Sequence, residues 1–495
     1  MTDFTISTDA EGIATIIWDV PGKSMNVLSF EALVQLDACV DQALADEAVV
    51  GIIITSGKAD FAAGMDLNVL AEMKTMAGDN PALGLFEGTM KMHTILRKIE
   101  RAGMDSKTNK GGKPVAAVLP GTALGIGLEI PLACHRTFAA TNPKAKIGLP
   151  EILVGIFPGA GGTTRLARKL GAMGASPFLL EGKLSSPARA KSAGIIDEVS
   201  DDPMADARAW VLSGPKIVKP WDEKGYKMPG GAPYHPAGFM TFVGASAMVH
   251  GKTQGVYPAA KALLSAVYEG AMVPFDTALK IEARWFANVL MNPSSSAMIR
   301  SLFINKGALE KGANRPEAPD QTVRKVGVLG AGMMGAGITL VSAQAGIEVV
   351  LLDRDQDAAD RGKAYTATYM DKGIKRGKAT PAKKDALLAR IHTTTDYADL
   401  AGCDLIVEAV FEDPAIKADV TRAVEAVISP DCIFATNTST LPISDLAKAS
   451  VRPEQFIGIH FFSPVEKMML VEIIKGRDTG PVAVAKALDY VRQIR

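Results

Sequence analysis

The stretch that most constrains this chain is Lys325-Val-Gly-Val-Leu-Gly330-Ala-Gly332-Met-Met-Gly335, followed by an apolar helical segment and the run Val349-Val-Leu-Leu-Asp353. Alternating and β-branched residues enter three glycines spaced G-x-G-x-x-G, and an acid closes the second apolar run. That order predicts strand, tight turn, helix and strand, the arrangement that binds dinucleotides. Gly330 permits the turn, Gly332 lets backbone approach a pyrophosphate, and Gly335 lets helix and strand pack closely. Met333 and Met334 open the helix, whose free N–H groups and partial positive charge suit phosphate. Asp353 is placed to bond a ribose 2′-hydroxyl and to repel a phosphate there, so NAD rather than NADP is the expected cofactor. The stretch also fits an ordinary βαβ turn or a membrane helix, since no charge falls between Lys325 and Glu348. Several glycines, Ser342 and Gln344 interrupt the apolar run and its flanks read as strands, which weighs against a span.

A chain of 495 residues has room for about three domains at about 150 residues each. Upstream of the glycine stretch, residues 3–19 alternate as a strand pair and residues 29–46 carry apolar groups at helical spacing behind Ser29. Two wholly apolar strands, Val49–Ile54 and Pro114–Leu119, then empty into the small-residue loops Ser56–Asp66 and Gly121–Glu129, each leading to a helix. Such loops present backbone N–H groups to an anion or a developing oxyanion. Another strand and a turn at Asn142-Pro143 lead to Gly148-Leu-Pro-Glu151, and a glycine turn at 155–162 feeds a helix from Thr163. Between about 200 and 320 the patterning weakens: Met228–Gly238 reads as loop, 258–288 and 294–311 as helical, and Gly312–Pro319 as a linker.

Net charge is zero with no basic stripe, which argues against nucleic acid or an anionic membrane as partner. Cys39, Cys134, Cys403 and Cys432 are scattered in apolar surroundings without C-x-x-C spacing, so buried thiols of a reducing compartment are expected rather than disulfides or a metal site. No basic region precedes an apolar core at the N-terminus, no integral membrane segment is expected, and a cytoplasmic location is the simplest expectation.

Two pairs of residues carry candidate chemistry. Glu129 stands in the apolar helix start Leu-Glu-Ile-Pro-Leu-Ala, where burial raises a carboxyl pKa. Glu151 follows a proline at a strand exit. Two carboxylates holding one water can deliver hydroxide to one carbon and a proton to its neighbour, with loop amides stabilising the enolate. On the residues alone, one structural and one surface glutamate fit equally well. Of six histidines, five have bland surroundings. His460 differs, because it ends the apolar strand Phe456-Ile-Gly-Ile-His460 at the carboxyl end of a parallel sheet, where such folds bind ligands. Glu472, on the run Met469–Ile474, is the acid that could fix its tautomer and raise its basicity for alcohol oxidation. A pair without catalytic work fits these residues too.

Residues 12–200 resemble the enoyl-CoA hydratase (crotonase) family through Phe61-Ala-Ala-Gly-Met-Asp66, Ala123-Leu-Gly-Ile-Gly-Leu-Glu129 and Leu149-Pro-Glu-Ile-Leu-Val-Gly-Ile-Phe-Pro-Gly-Ala-Gly-Gly-Thr163. The resemblance implies a spiral of ββα units, a thioester held by N–H groups of Ala63 and Ile126 in loops that include Gly64 and Asp66, and hydration of a 2-enoyl-CoA by Glu129 and Glu151. Two departures stand out: Ile126 replaces a usual glycine, and the segment around Thr141-Asn-Pro-Lys144 is slightly longer than usual. Residues 322–475 resemble the NAD-binding domain of 3-hydroxyacyl-CoA dehydrogenases through Gly330–Gly335, Val407-Glu-Ala-Val-Phe-Glu-Asp413 with Lys417, Thr436-Asn-Thr-Ser-Thr440 and His460-Phe-Phe-Ser-Pro464. That resemblance implies proton removal by His460 oriented by Glu472, a Ser439 bond to the substrate oxygen, Glu412 and Lys417 beside the nicotinamide, and a weak cofactor contact at Ser463, where many relatives carry Asn.

Hydratase then dehydrogenase in one chain resembles the bifunctional α-subunits of fatty-acid β-oxidation. The expected fold class is α/β: a crotonase-like spiral of ββα units over 1–200, a helical extension and linker over 201–320, and a Rossmann-type doubly wound domain over 321–495. The helical domain that closes over acyl-CoA in that family is expected to be missing, since the chain stops at Arg495 within a helix from Val482. The family implies acyl-CoA thioester substrates, a thiolase β-subunit as partner and an oligomer. The competing expectation is an enoyl-CoA isomerase or hydratase with a non-catalytic NAD-binding module.

Overall fold

A computed structural model describes residues 2–66, 69, 73 and 78–494. Contacts divide the chain into two units, Met1–Gly307 and Ala308–Arg495.

In the first unit the strands are β1 (Phe4–Thr8), β2 (Ile13–Trp18), β3 (Gly51–Ser56), β4 (Val115–Leu119), β5 (Ala123–Leu124), β6 (Arg136–Ala140), β7 (Ile147–Gly148) and β8 (Glu198–Ser200). Among the described residues, six form one sheet in the order β1-β2-β3-β4-β6-β8, while β5 pairs with β7 apart from it. Only β1 and β2 run antiparallel; the rest of the sheet is parallel. The isoleucines of β3 and the whole of β4 are buried, as uninterrupted apolar runs require when both faces are covered. β4 delivers the chain to β5 and the helix Ile126–Ala133, and β7 delivers it to the short turn Pro150–Val154, so the two small-residue segments end side by side.

The stretch expected as extension and linker divides at 307. Helices Pro258–Gly270, Phe275–Met291 and Pro293–Ile299 place Leu263, Phe286, Leu290 and Ile299 in the same core as β2, β3 and β4. The weak patterning concealed two further helices, Pro203–Leu212 and Pro236–Thr253. The second of these begins inside the stretch 228–238 that reads as loop; a proline opens it and three glycines dilute its helical pattern.

In the second unit the strands are β9 (Lys325–Leu329), β10 (Glu348–Leu352), β11 (Ile391–Thr394), β12 (Leu405–Glu408), β13 (Ile433–Thr436), β14 (Phe456–Phe461) and β15 (Val471–Ile474), in the order β11-β10-β9-β12-β13-β14-β15. All pairs are parallel except β14 with β15. Apolar clusters cover the sheet on both faces, one around Val328, Ile338 and Tyr490, the other around Ile406, Phe434 and Phe456. All four cysteines are free and buried. Among the described residues no helix is long and apolar enough to cross a membrane.

Candidate functional site

In the first unit Glu129 and Glu151 arrive from different elements and meet at Gly125. Glu129 lies on the helix Ile126–Ala133, and its amide donates to the Gly125 carbonyl at 3.0 Å. Glu151 lies in the turn Pro150–Val154, where a Cβ on Gly125 would stand 2.9 Å from its Oε1. Gly125 also has φ +56° and ψ −127°, so both its conformation and the close carboxylate demand glycine. The Glu129 carboxylate is 3% exposed and accepts the amides of Ala160 (2.8 Å) and Gly162 (2.7 Å) at Oε1. Burial, with the like charges of Glu151 and Glu282, pushes its pKa well above the ordinary carboxyl range, against those two amides. Burial raises Glu151 to about 7, and among the described residues its Oε2 has no hydrogen-bond partner.

The amide expected to bind a thioester beside these acids is only partly as anticipated. Ile126 opens its helix, and among the described residues no side chain caps that N-terminus. Ala63, however, donates its N–H to the Asn26 carbonyl at 2.8 Å, and Asn26 is buried and tied to the carbonyls of Trp18 and Phe61. Its amide is engaged within the loop, so a thioester oxygen would have to displace the Asn26 carbonyl to use it. Gly64 is buried at φ +115° and accepts the Leu28 amide, and Asp66 pairs with Lys23 at 3.3 Å.

In the second unit the three fingerprint glycines behave as their spacing requires. A Cβ on Gly335 would lie 1.7 Å from the Gly330 carbonyl oxygen, so helix Met333–Gln344 packs directly on the turn. Gly332 has open space where a side chain would be, and the helix has no side-chain cap. Asp353 accepts the Ala331 amide at 2.6 Å, which places its carboxylate at the rim of the same turn. An open glycine, an uncapped helix N-terminus and a rim carboxylate fit the pyrophosphate and ribose of NAD. Met333 is exposed, Met334 packs partly against the core, and Ser463 Oγ lies 3.5 Å from the Met333 sulfur.

His460 and Glu472 are direct partners across the β14–β15 pair, and Nδ1 meets Glu472 Oε2 at 2.8 Å. Glu412 accepts the Thr438 hydroxyl and, at 3.1 Å, the Ser439 amide, which fixes the turn that presents Ser439. Partial burial would raise the Glu412 pKa, but Thr438 and Lys417 hold it below the usual carboxylate range. Lys417 is not an open flank for nicotinamide: it is buried, bonded to both oxygens of Glu408 at 2.8 and 3.1 Å, and 3.1 Å from Glu412. Its ammonium is consumed by two carboxylates, so its effect on a ligand passes through Glu412.

Glu408, Thr438 and Asn437, whose side chain accepts the Phe461 amide, belong to this site but were not singled out beforehand. All three lie inside motifs whose charged or central members drew attention first. In the first unit the omission is Glu282, an acid on the otherwise apolar face Phe275, Leu279, Phe286, Leu290 of its helix. A lone acid at helical spacing in such a stripe is the signal that could have found it. Among the described residues no acidic, histidine and cysteine cluster could hold a metal.

The model of the 3-hydroxyacyl-CoA dehydrogenase NAD-binding domain matches residues 325–495, and that of enoyl-CoA hydratase/isomerase matches residues 8–213. A fatty acid oxidation complex subunit alpha from Shewanella baltica is 34% identical over 99% of this chain and 68% of its own length. Its counterpart from Shewanella amazonensis is 35% identical with the same coverage. Among solved structures, (S)-3-hydroxybutyryl-CoA dehydrogenase of Ralstonia eutropha is 38% identical, covering 35% of this chain and 61% of that one with a TM-score of 0.34. For 3-hydroxybutyryl-CoA dehydrogenase of Escherichia coli K12 the values are 32%, 35%, 37% and 0.34.

Proposed function

The chain belongs to the family of fatty acid oxidation complex alpha subunits, and from that premise we propose how its residues carry out two consecutive reactions. It is an enzyme that joins an enoyl-CoA hydratase domain to the NAD-binding domain of a 3-hydroxyacyl-CoA dehydrogenase. A trans-2-enoyl-CoA is hydrated to 3-hydroxyacyl-CoA, which is oxidised to 3-oxoacyl-CoA.

The observation that carries the first step is the approach of two carboxylates to one helix start: Glu151 lies against Gly125, and its charge acts on the buried Glu129 carboxylate one turn further on. Burial raises both carboxyls, and the charge of Glu151 further opposes ionisation of Glu129, which favours one protonated and one ionised member. The ionised member takes a proton from water as its oxygen attacks C3, and the protonated member gives its proton to C2. The Ile126 amide meets the charge that develops on the thioester oxygen. Gly64 and Asp66 border the entrance, and Ala63 supports it through Asn26. Glu151→Gln removes the transferable proton while keeping the shape. Hydration should fall by about 10²-fold or more, with NAD affinity unchanged; hydration at the parent rate would refute the assignment.

For the second step the Gly330–Gly335 turn and Asp353 would hold NAD, which would supply the acceptor for the hydride of the hydroxyl-bearing carbon. Glu472 holds His460 Nδ1–H, which leaves Nε2 to take the hydroxyl proton. Ser439 holds the substrate oxygen, Glu412 with Lys417 behind it fixes the Ser439 turn, Gly330 to Gly335 and Asp353 cradle the cofactor, and Ser463 with Met333 borders it. The relatives are named as one subunit of a complex, which supports association with a thiolase-type partner that consumes 3-oxoacyl-CoA, within an oligomer. Four unpaired buried cysteines support a reducing, cytoplasmic setting.

A further inference from the structure

We propose that Glu282 is a positioning residue of the hydratase site, which fixes from behind the loop whose amides aim Glu129. The inference rests on the assignment of Glu129 and Glu151 to hydration. Four polar contacts alternate along one short segment. The amides of Ala160 and Gly162 point to Glu129 Oε1, while the Gly161 amide donates to Glu282 Oε1 at 2.6 Å and the Thr164 amide to Glu282 Oε2 at 2.8 Å. The Thr164 hydroxyl adds a third bond to Glu282, at 2.6 Å. Consecutive peptide planes therefore face two carboxylates on opposite sides. Rotating one plane to release Glu282 would turn the next away from Glu129.

Glu282 is fully buried, and a carboxylate there is a costly way to cap a loop unless its charge has a use. Among the described residues no lysine or arginine pairs with it. Its charged and titratable surroundings are His93, whose Nε2 bonds the Gly159 carbonyl at 2.6 Å and lies 3.6 Å from Glu282 Oε1, and Arg165, which is engaged by Glu100 at 3.1 Å and reaches the Ala160 carbonyl. Arg97 pairs with Glu100 from the far side. On the front of the loop stand Glu129 and Glu151, and the charge of Glu282 is one cause of the raised Glu129 pKa. Phe286, one turn on from Glu282, packs on Gly159 and edge-on against Phe157, so the helix is seated on the loop rather than merely near it. Glu282 lies outside residues 8–213, the span of the hydratase match, and so the extension supplies part of the hydratase machinery.

The test is hydration kinetics of the full chain with a short trans-2-enoyl-CoA, comparing parent, Glu282→Gln, Glu282→Asp, Glu282→Ala and Glu129→Gln. Misaimed Glu129 should cost kcat about 10- to 100-fold in Glu282→Ala, with KM within about twofold. Glu282→Gln keeps the volume but loses the charge and one acceptor. Its kcat should fall about tenfold and its pH profile should move to lower pH, because a like charge beside the pair is gone. Glu282→Asp keeps the charge, so its profile should stay in place. Glu282→Ala within twofold of the parent would overturn the inference, as would a Glu282→Gln profile that does not move. If Glu282→Ala does not fold, the near-isosteric Glu282→Gln decides. Failure of the underlying assignment is distinct, since Glu129→Gln would then hydrate like the parent.

Discussion

Lys417→Met is the substitution with the largest effect that can be worked from the structure. The Lys417 side chain is 3% exposed and its ammonium lies between Glu408, itself 1% exposed, and Glu412. Methionine keeps the stem and removes the cation, which leaves Glu408 with the Val410 amide and the Thr436 hydroxyl as its remaining partners. Breaking a buried ion pair from one side costs about 3–5 kcal/mol, a large part of the about 5–15 kcal/mol that holds a domain together. For a unit of this size about 2–4 °C of Tm is lost per kcal/mol, so the dehydrogenase unit should melt about 6–20 °C lower. Calorimetry of the full chain, with and without saturating NAD, identifies the transition, because ligand raises only the unit that binds it. Adding Glu408→Leu removes the stranded charge and should restore about half of the loss, with two donors still unpaired. A Lys417→Met shift under about 2 °C, or a double variant no more stable than the single, would refute the account of Lys417 as a buried counterion.

Three further outcomes follow from the same geometry. His460→Gln should lower the rate of 3-hydroxyacyl-CoA oxidation relative to the parent by about 10²- to 10⁴-fold, with the NAD Kd unchanged; a loss of NAD affinity equal to the loss of rate would argue against a role as base. Gly335→Ala puts a Cβ 1.7 Å from the Gly330 carbonyl, so calorimetric NAD binding should weaken about tenfold or more and the unit should melt lower. Glu151 is raised in the folded chain to about 7, so it contributes stability that is present below the ordinary carboxyl value and lost as pH rises through about 7. Glu151→Gln should therefore gain about 1–3 kcal/mol on the parent between pH 4.5 and 8 in urea unfolding of the first unit, and equal pH slopes for the two would contradict the raised value.

Where a site's parts sit at strand and helix ends, the sequence announced them. His460 lies next to the end of β14, Glu129 lies in the first turn of a helix and the glycines occupy one turn, so local pattern suffices. What escaped were partnerships set by tertiary structure. Ala63 spends its amide on a carbonyl 37 residues upstream, and Glu282 reaches a loop 121 residues away. Lys417 lies in a motif that marks it as functional, yet only the fold around β12 shows that its charge points inward at Glu408. The same limit applies to the domain boundary: nothing local in 258–299 says that its apolar faces complete the core of the preceding strands rather than form one of their own.

The pairing of His460 with Glu472 joins the last two strands of the second sheet, and β15 lies at that sheet's edge. Side chains alternate faces along a strand, so a slip of one residue would carry Glu472 to the opposite side and bring Val471 or Ile473 abreast of the imidazole. Every backbone hydrogen bond could be remade after such a slip, and the histidine would still have lost its acid. Alignment of the catalytic pair is thus a property of strand register. Substitutions in the 462–470 connection, which sets where β15 begins, should disturb oxidation of the alcohol without touching either residue that performs it.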